Sequence, residues 1–330
     1  LGYTEALVGE HVTDIAETVT DCATFLASLV SDTHRIRLGT GTLNLPNGHP
    51  AHLAAKISML DSMLEGRFLC GISPGGLPSD MEVFGNLGSD RNAMFVECID
   101  QMIAIWTGEA PYRLQGRFWN VTTERTMIPE IGQGIIPKPF QKPHPPIVVT
   151  AVAPHSKGVA EAAARGWDPI SANFLLPQWV RTHWPQYVEG CSRGGRPADP
   201  RNWRVARSIF VADDDATARR YGCGAEGPYH FYYKQLGYKL VRAGRANLFK
   251  PSPELPDEAI TTEYLVDRLV IAGTVGQVVD EILALRDEVG DFGTLYYAGI
   301  DWADPELGRR SMQLMAEEVM PRVNAAIRNS

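Results

Sequence analysis

Segments typical of buried β-strands alternate with amphipathic helices along almost the whole of this 330-residue chain. Short apolar runs with strand character occupy residues 6–10, 36–43, 67–72, 147–151, 167–172, 203–211 and 294–298. Apolar residues spaced three and four apart predict helices between most of these runs, at residues 14–30, 50–65, 90–106, 156–165, 275–288 and 305–320. Because a helix between two strands returns the chain to the same end of the sheet, this order predicts a parallel α/β fold.

The length of the chain suits a (β/α)8 TIM barrel, although its seven predicted strands are one fewer than a closed barrel needs. The first residues, from Leu1, resemble the end of a helix. We therefore expect the first βα unit of the barrel to be absent from this chain, and residues 1–330 to form a single TIM-barrel domain. Residues 222–262 have no clear pattern and are predicted to be an insertion over the C-terminal mouth of the barrel.

Composition argues against several classes of function. The formal net charge of −8 disfavours a nucleic-acid-binding protein, which would concentrate lysine and arginine. The five cysteines are scattered without a CxxC pair, which predicts reduced thiols and no zinc or other metal site. No apolar run reaches the roughly 18–20 residues that span a bilayer, and no secretory leader is evident, so a cytoplasmic protein is expected.

Ordered stretches of the sequence resemble the bacterial luciferase-like flavin-dependent monooxygenase superfamily. They are residues 9–11 (GEH), 34–50 (HRIRLGTGTLNLPNGHP), 60–75 (LDSMLEGRFLCGISPG) and 153–166 (APHSKGVAEAAARG). The resemblance covers most of residues 1–170 and returns weakly near Gly273 and in the C-terminal helix.

This resemblance implies a monooxygenase that uses reduced FMN, supplied by a separate flavin reductase, and O2. In such enzymes a C4a-peroxyflavin oxygenates the substrate, while the protein orients the flavin and keeps water away. The resemblance also implies a small apolar substrate, a ketone or terpene-like compound, and a homodimer. Two alternatives share the pattern, an F420-dependent oxidoreductase of the same fold and a non-catalytic flavin-binding relative. A metal-dependent barrel hydrolase would need clustered His and Asp at strand ends, which the seven strands lack, although the missing first strand could hold an HxH pair.

His11 is the candidate catalytic residue. It follows a strand, and barrel enzymes place catalytic groups at the C-terminal ends of their strands. A neutral imidazole can transfer a proton or form a hydrogen bond with a reacting group near pH 7, although a structural histidine is the alternative. The resemblance favours catalysis, but Val12 stands where the family has a second histidine.

Four residues of the first half of the chain are candidates for binding the cofactor. Gly41 lacks a Cβ and would let a flat ring approach the backbone, although packing within the strand is the alternative. The resemblance implies a non-proline cis peptide between Gly41 and Thr42 beneath the flavin ring. It also implies that Arg91 contacts the flavin phosphate and that Asp80 lies near the flavin, whereas Pro74 replaces a family arginine. A surface arginine and a turn aspartate are the alternatives.

A second group of candidates, His155, Ser156, Lys157 and Gly158, lies between a strand and a helix. Free backbone N–H groups and the positive end of the helix dipole would bind a phosphate there. Simple helix capping by Ser156 is the alternative. The resemblance favours phosphate binding.

Two further features support weaker expectations. The aromatic residues within 230–233, with Trp179 and Trp184, would suit an apolar substrate, but packing in the core is commoner. Gly273 and Thr274 are interpreted as a helix cap.

Overall fold

The computed structural model describes residues 1–300 and 302–329. Contacts divide the chain into two compact units, Tyr3–Thr150 and Ala151–Ser330, the latter together with Leu1–Gly2. They are called the N-terminal unit and the C-terminal unit.

The N-terminal unit is built on parallel strands with helices between them. Its strands are β1 (Glu5–Val8), β2 (Arg37–Thr40), β3 (Leu43–Asn44), β4 (Phe68–Ser73), β5 (Arg113–Gln115), β6 (Asn120–Thr122) and β7 (Ile147–Ala151), the last of which ends at the boundary of the unit. Its helices are α1 (Cys22–Ser28), α2 (Pro50–Met63), α3 (Pro78–Val83) and α4 (Arg91–Thr107). Parallel pairs join β1 to β2, β2 to β4 and β4 to β7, while β3 pairs with the end of β4.

Burial on both faces explains the continuous apolar run in β4. Phe68, Leu69, Cys70 and Ile72 are all fully buried, as expected of a strand inside a parallel sheet. Helix α2 begins at Pro50, whose missing N–H costs nothing in a first turn. Trp106 of α4 donates its indole N–H to a backbone carbonyl of α2 at 3.1 Å, which joins the two helices.

A carboxylate on α4 holds the tip of the antiparallel β5–β6 hairpin. The side chain of Glu97 accepts the backbone N–H groups of Arg117, Phe118 and Trp119 at 2.8, 2.9 and 2.8 Å. Three consecutive amides are thereby satisfied without water. The following residues 128–146 form a loop with one short 3-10 turn, which suits their high content of proline and glycine.

The C-terminal unit also consists of parallel strands and helices. Its strands are β8 (Asp168–Ser171), β9 (Arg204–Ala212), β10 (Val270–Thr274) and β11 (Thr294–Ala298). Its helices are α5 (Lys157–Ala164), α6 (Pro177–Val180), α7 (His183–Arg193), α8 (Asp215–Thr217), α9 (Pro228–Arg242), α10 (Thr262–Leu269), α11 (Val275–Val289), α12 (Pro305–Leu314) and α13 (Met320–Asn329). Strand β9 pairs in parallel with β8, β10 and β11. Among the helices described in both units, none is both long and apolar enough to cross a membrane.

All seven predicted strands are present. The β5–β6 hairpin was not predicted, and neither was β10. The sequence of β10 follows α10 without a glycine or proline between them, so the apolar residues of both elements form one uninterrupted pattern. The interpretation of Thr274 as a cap is confirmed, because its hydroxyl and Gln277 form a capping box at the start of α11.

The prediction that residues 222–262 are irregular is wrong for their central part. This part folds as α9, whose buried Tyr229, Tyr233 and Gly237 are spaced four residues apart. Tyrosine and glycine are poor helix formers, so burial of this face rather than propensity stabilises the helix. Three expectations stay predictions. They are that this segment is an insertion, that the chain is one domain and that a first βα unit is missing.

A buried histidine organises the polar groups of the C-terminal core. His183 has no exposed surface, and its Nδ1 lies 2.8 Å from the hydroxyl of Ser171 and its Nε2 2.8 Å from the carbonyl of Ala153. The carbonyl can only accept, so Nε2 carries the proton and Nδ1 accepts from Ser171. The Ser171 oxygen in turn accepts the indole N–H of Trp203 at 2.9 Å. Burial lowers the pKa of His183 to about 4, which keeps the ring neutral.

The neutral state of His183 predicts a loss of stability in acid. An unfolded histidine titrates near 6.5, so the unfolded chain binds one more proton than the folded chain as the pH falls from about 6.5 to about 4. We expect this group to reduce the free energy of unfolding by roughly 3 kcal/mol over that range. Urea unfolding at pH 7 and 4.5 should show that His183→Gln lacks this part of the pH dependence, whereas the exposed-site variant His34→Gln retains it. An unchanged pH dependence in His183→Gln would show that the ring is not held neutral.

Candidate active site

His11 and Asp80 form a hydrogen-bonded pair in the N-terminal unit. His11 follows β1, and its Nδ1 lies 2.9 Å from Oδ2 of Asp80 in the first turn of α3. The backbone N–H of His11 donates to the carbonyl of Val19 at 3.0 Å. On the other side of the ring, Nε2 lies 3.8 Å from a carboxylate oxygen of Glu17, beyond hydrogen-bond distance.

The carboxylate of Asp80 is almost completely enclosed, with 3% of the residue exposed. Its Oδ1 accepts the N–H of Val12 at 3.2 Å, the N–H of Thr13 at 2.9 Å and the hydroxyl of Thr13 at 2.7 Å. Burial alone would raise the pKa of Asp80, but the hydrogen bonds from Thr13 and His11 outweigh it and lower the pKa below its ordinary value. Asp80 is therefore an anion at neutral pH. The alternative of an isolated turn aspartate does not fit this arrangement.

The predicted cis peptide between Gly41 and Thr42 is confirmed. It follows β2, and Gly41 is exposed while Thr42 is half-buried. The hydroxyl of Thr42 donates to the hydroxyl of Ser73 at 2.8 Å. A flat, exposed backbone surface thus lies at the end of this strand.

The reason for glycine at position 41 is close packing against the neighbouring strand. A Cβ there would lie 2.7 Å from the Cβ of Leu7 in β1. The N–H of Gly41 donates to the carbonyl of Val8 at 2.6 Å. Packing within the sheet, the alternative considered from the sequence, therefore explains why position 41 lacks a Cβ. The backbone of Gly41 is nevertheless exposed.

A chain of hydrogen bonds that the sequence did not predict supports Thr42. The Ser73 hydroxyl donates to Oδ1 of Asn44 at 2.8 Å, and the Nδ2 group of Asn44 donates to the backbone carbonyl of Glu10 at 3.1 Å. The carboxylate of Glu10 accepts the N–H of Asn44 at 3.2 Å and the N–H of Cys22 at 3.1 Å. Each of the three polar residues stands at or just after the end of a strand, which is the one signal that could have indicated them.

Arg91 has a cationic side chain that no carboxylate neutralises within the part of the chain described. It is the first residue of α4 and is half-buried. Its Nη1 lies 3.8 Å from the sulfur of Met81, the residue after Asp80. A guanidinium at the positive end of a helix is well suited to bind a phosphate.

The second group of predicted residues lies in the C-terminal unit, at the start of α5. Ser156 is the N-cap residue, but its side chain makes no capping hydrogen bond, so the capping alternative does not account for its hydroxyl. The exposed Lys157 and Gly158 occupy the first turn, where backbone N–H groups lack helical partners. The N–H of His155 is different, because it donates to the hydroxyl of Thr182 at 2.8 Å. Any part of His155 in anion binding would therefore use its ring.

The aromatic residues considered as a substrate wall divide between core and surface. Tyr233 is fully buried, and Trp184 stacks on Trp203 with ring centroids 5.7 Å apart. For these two residues the core-packing alternative is correct. Tyr232 is half-buried, and Phe231 is exposed.

Comparison with known proteins identifies the family. The model of the luciferase-like monooxygenase family matches residues 1–291, so the chain belongs to this family. The chain is 30% identical over 99% of its length to 4-hydroxyprotoasukamycin monooxygenase of Streptomyces nodosus subsp. asukaensis, covering 84% of that protein. It is 26% identical over 98% of its length to 3,6-diketocamphane 1,6-monooxygenase of Pseudomonas putida, covering 89% of that protein.

A solved structure shows the same fold. It is the oxygenating constituent of 3,6-diketocamphane monooxygenase from Pseudomonas putida, described as a type II Baeyer–Villiger monooxygenase in complex with FMN. The TM-score is 0.85 at 27% identity, covering 98% of this chain and 89% of that chain. The prediction of a luciferase-like (β/α)8 TIM-barrel fold is thereby confirmed.

The close packing at Gly41 predicts that alanine at this position destabilises the protein, whereas alanine at an open glycine position does not. Gly41→Ala would place a methyl group against Leu7, and we expect the free energy of unfolding to fall by about 1–3 kcal/mol. Gly76→Ala is the matched control, because nothing lies within 4 Å of a Cβ at that exposed position. Urea unfolding of both variants tests the contact, and equal stabilities would contradict it.

Proposed function

We propose that this chain is the oxygenase component of a two-component, FMN-dependent monooxygenase that oxygenates a small apolar organic substrate with O2. The observation that carries the proposal is the hydrogen-bonded pair of His11 and Asp80 after β1, beside the exposed backbone of Gly41 after the adjacent strand β2, in a member of the luciferase-like family. Matches to monooxygenases over nearly the whole chain support the reaction class. A ketone or terpene-like substrate is proposed because the matched relative and the solved structure are both named as a 3,6-diketocamphane monooxygenase.

The residues present fit FMN. The exposed Gly41–Thr42 peptide offers a flat surface for the ring. Arg91 in the N-terminal unit supplies a cation that no described carboxylate neutralises. In the C-terminal unit, the Ser156 hydroxyl and the first turn of α5 supply donors without partners inside the helix. Arg91 and the start of α5 are both candidates for binding the phosphate.

Reduced FMN, when bound, would supply the electrons that activate O2. In this proposal His11 accepts a proton at Nε2, the ring nitrogen that faces away from Asp80. Asp80 fixes the orientation of the imidazole. The hydrogen bonds among Glu10, Asn44 and Ser73 hold Thr42 in place, and the backbone of Gly41 and Thr42 would support the flavin ring.

The proposal includes two protein partners and a location. A separate flavin reductase is proposed because the solved relative is the oxygenating constituent of its enzyme. A homodimer would cover apolar side chains that are exposed on neighbouring helices, Met59 and Met63 of α2 and Val96 of α4. The five free cysteines are consistent with a cytoplasmic protein, where thiols stay reduced.

The alternatives have weaker support. A match to a putative F420-dependent oxidoreductase covers only 78% of this chain. Two solved structures of F420-dependent enzymes are 17–18% identical to it, and this likeness indicates the fold alone. A metal-dependent hydrolase finds no support, since the described residues contain no group of three or more His, Cys, Asp or Glu side chains that could hold a metal ion. A non-catalytic relative would bind FMN without forming product, which the next experiment tests.

Replacing His11 should separate catalysis from flavin binding. We expect His11→Ala to reduce product formation roughly hundredfold or more, the range that general acid–base groups contribute. FMN affinity should stay near that of the wild type. The assay supplies reduced FMN from a reductase, and measures O2 uptake and products across ketones and terpenes. The exposed-site variant His52→Ala should behave as wild type, and unchanged turnover in His11→Ala would remove this residue from the mechanism.

Replacing Arg91 should distinguish FMN from riboflavin. Arg91→Ala removes the proposed phosphate contact, so we expect FMN affinity to fall roughly tenfold or more, as for a lost charged hydrogen bond. Riboflavin has no phosphate, and its affinity should not change. Anaerobic titration of both flavins measures the difference, with the exposed-site variant Arg35→Ala as control. An equal loss for both flavins would contradict the assignment.

A further inference from the structure

We infer that Asp80 is a positioning residue that acts through His11 and does not contact the cofactor. It holds His11 in the tautomer with the proton on Nδ1, so that Nε2 presents a lone pair as hydrogen-bond acceptor. Only the use of that lone pair in the reaction rests on the proposed function; the position of the proton does not.

The direction of the hydrogen bond follows from the charge of Asp80. Its carboxylate is held as an anion by the three donors of Val12 and Thr13, and an anionic oxygen can only accept. Nδ1 of His11 must therefore donate across the 2.9 Å contact. A neutral imidazole carries a single N–H, so Nε2 has none. A carboxylate oxygen of Glu17 lies 3.8 Å from Nε2, beyond hydrogen-bond distance, so Glu17 does not draw the proton to Nε2.

The burial of Asp80 keeps its carboxylate from contact with a cofactor. Three donors, from Val12 and Thr13, occupy Oδ1, and His11 occupies Oδ2. The side chain is 5% exposed. A residue that bound the flavin directly would need an accessible oxygen, which Asp80 does not offer. The acid that the resemblance places near the flavin would thus act through the histidine.

Asp80→Asn should reverse the direction of the hydrogen bond between residue 80 and His11, rather than merely weaken it. The two N–H groups and the hydroxyl on the Oδ1 side require an acceptor there, which fixes the amide oxygen in that place. The amide NH2 group then faces Nδ1 of His11. Nδ1 must become the acceptor, and the proton moves to Nε2. The group presented to the reaction changes from acceptor to donor.

The test is nitrogen NMR of protein carrying 15N-labelled histidine rings, at a pH where His11 is neutral. The His11 signals are identified by their loss in His11→Gln. We expect wild-type protein to show Nδ1 protonated and Nε2 unprotonated. In Asp80→Asn the ratio of the two tautomers should change in favour of Nε2–H by about tenfold or more, the effect of one charged hydrogen bond. Turnover should fall while the KM and the affinity for FMN stay unchanged.

Thr13→Val is the matched control, since it removes one donor from Oδ1 and leaves the Oδ2 contact with His11. It should retain the wild-type tautomer. A wild-type His11 protonated on Nε2 would overturn the inference, and this measurement needs no variant to fold. So would an Asp80→Asn protein that binds FMN at least tenfold more weakly with its tautomer unchanged. Failure of the wild type to bind FMN at all would instead refute the proposed function, and leave the tautomer result standing.

Discussion

The close approach of β1 and β2 at their C-terminal ends is the constraint on which the N-terminal site depends. The hydrogen bond from Gly41 to Val8 draws the two backbones together and leaves no room for a Cβ at position 41. His11 and Thr42 therefore continue from adjoining strands. The side chains of Glu10 and Asn44 then connect the two segments beyond the strands by hydrogen bonds.

Much of the architecture could be predicted because apolar residues repeat with different spacings in strands and in helices. All seven buried runs folded as expected, and the cis peptide was predicted from the motif around Gly41. The failures have physical causes. Strand β10 adjoins a helix without a breaking residue, so hydrophobicity alone cannot mark where the backbone changes conformation. Helix α9 has a buried tyrosine face, and tertiary packing overrides its modest propensity.

The partners of the site residues were harder to predict than their positions. The contact between His11 and Asp80 joins residues 69 apart in sequence, and a single sequence does not reveal which loop closes around a carboxylate. The same limit applies to His155, whose N–H is taken by Thr182. Strand ends indicate where polar groups gather, whereas long-range hydrogen bonds decide what each group does.

The hairpin anchored by Glu97 has a consequence for how the surface of this protein can change. One carboxylate at a fixed place on α4 accepts three consecutive amides, so the spacing of residues 117–119 is set by the geometry of two oxygen atoms. The amides donate whatever side chains they bear, but an inserted or deleted residue would move them off the carboxylate. The tip of the hairpin is therefore free to vary in chemistry and constrained in length.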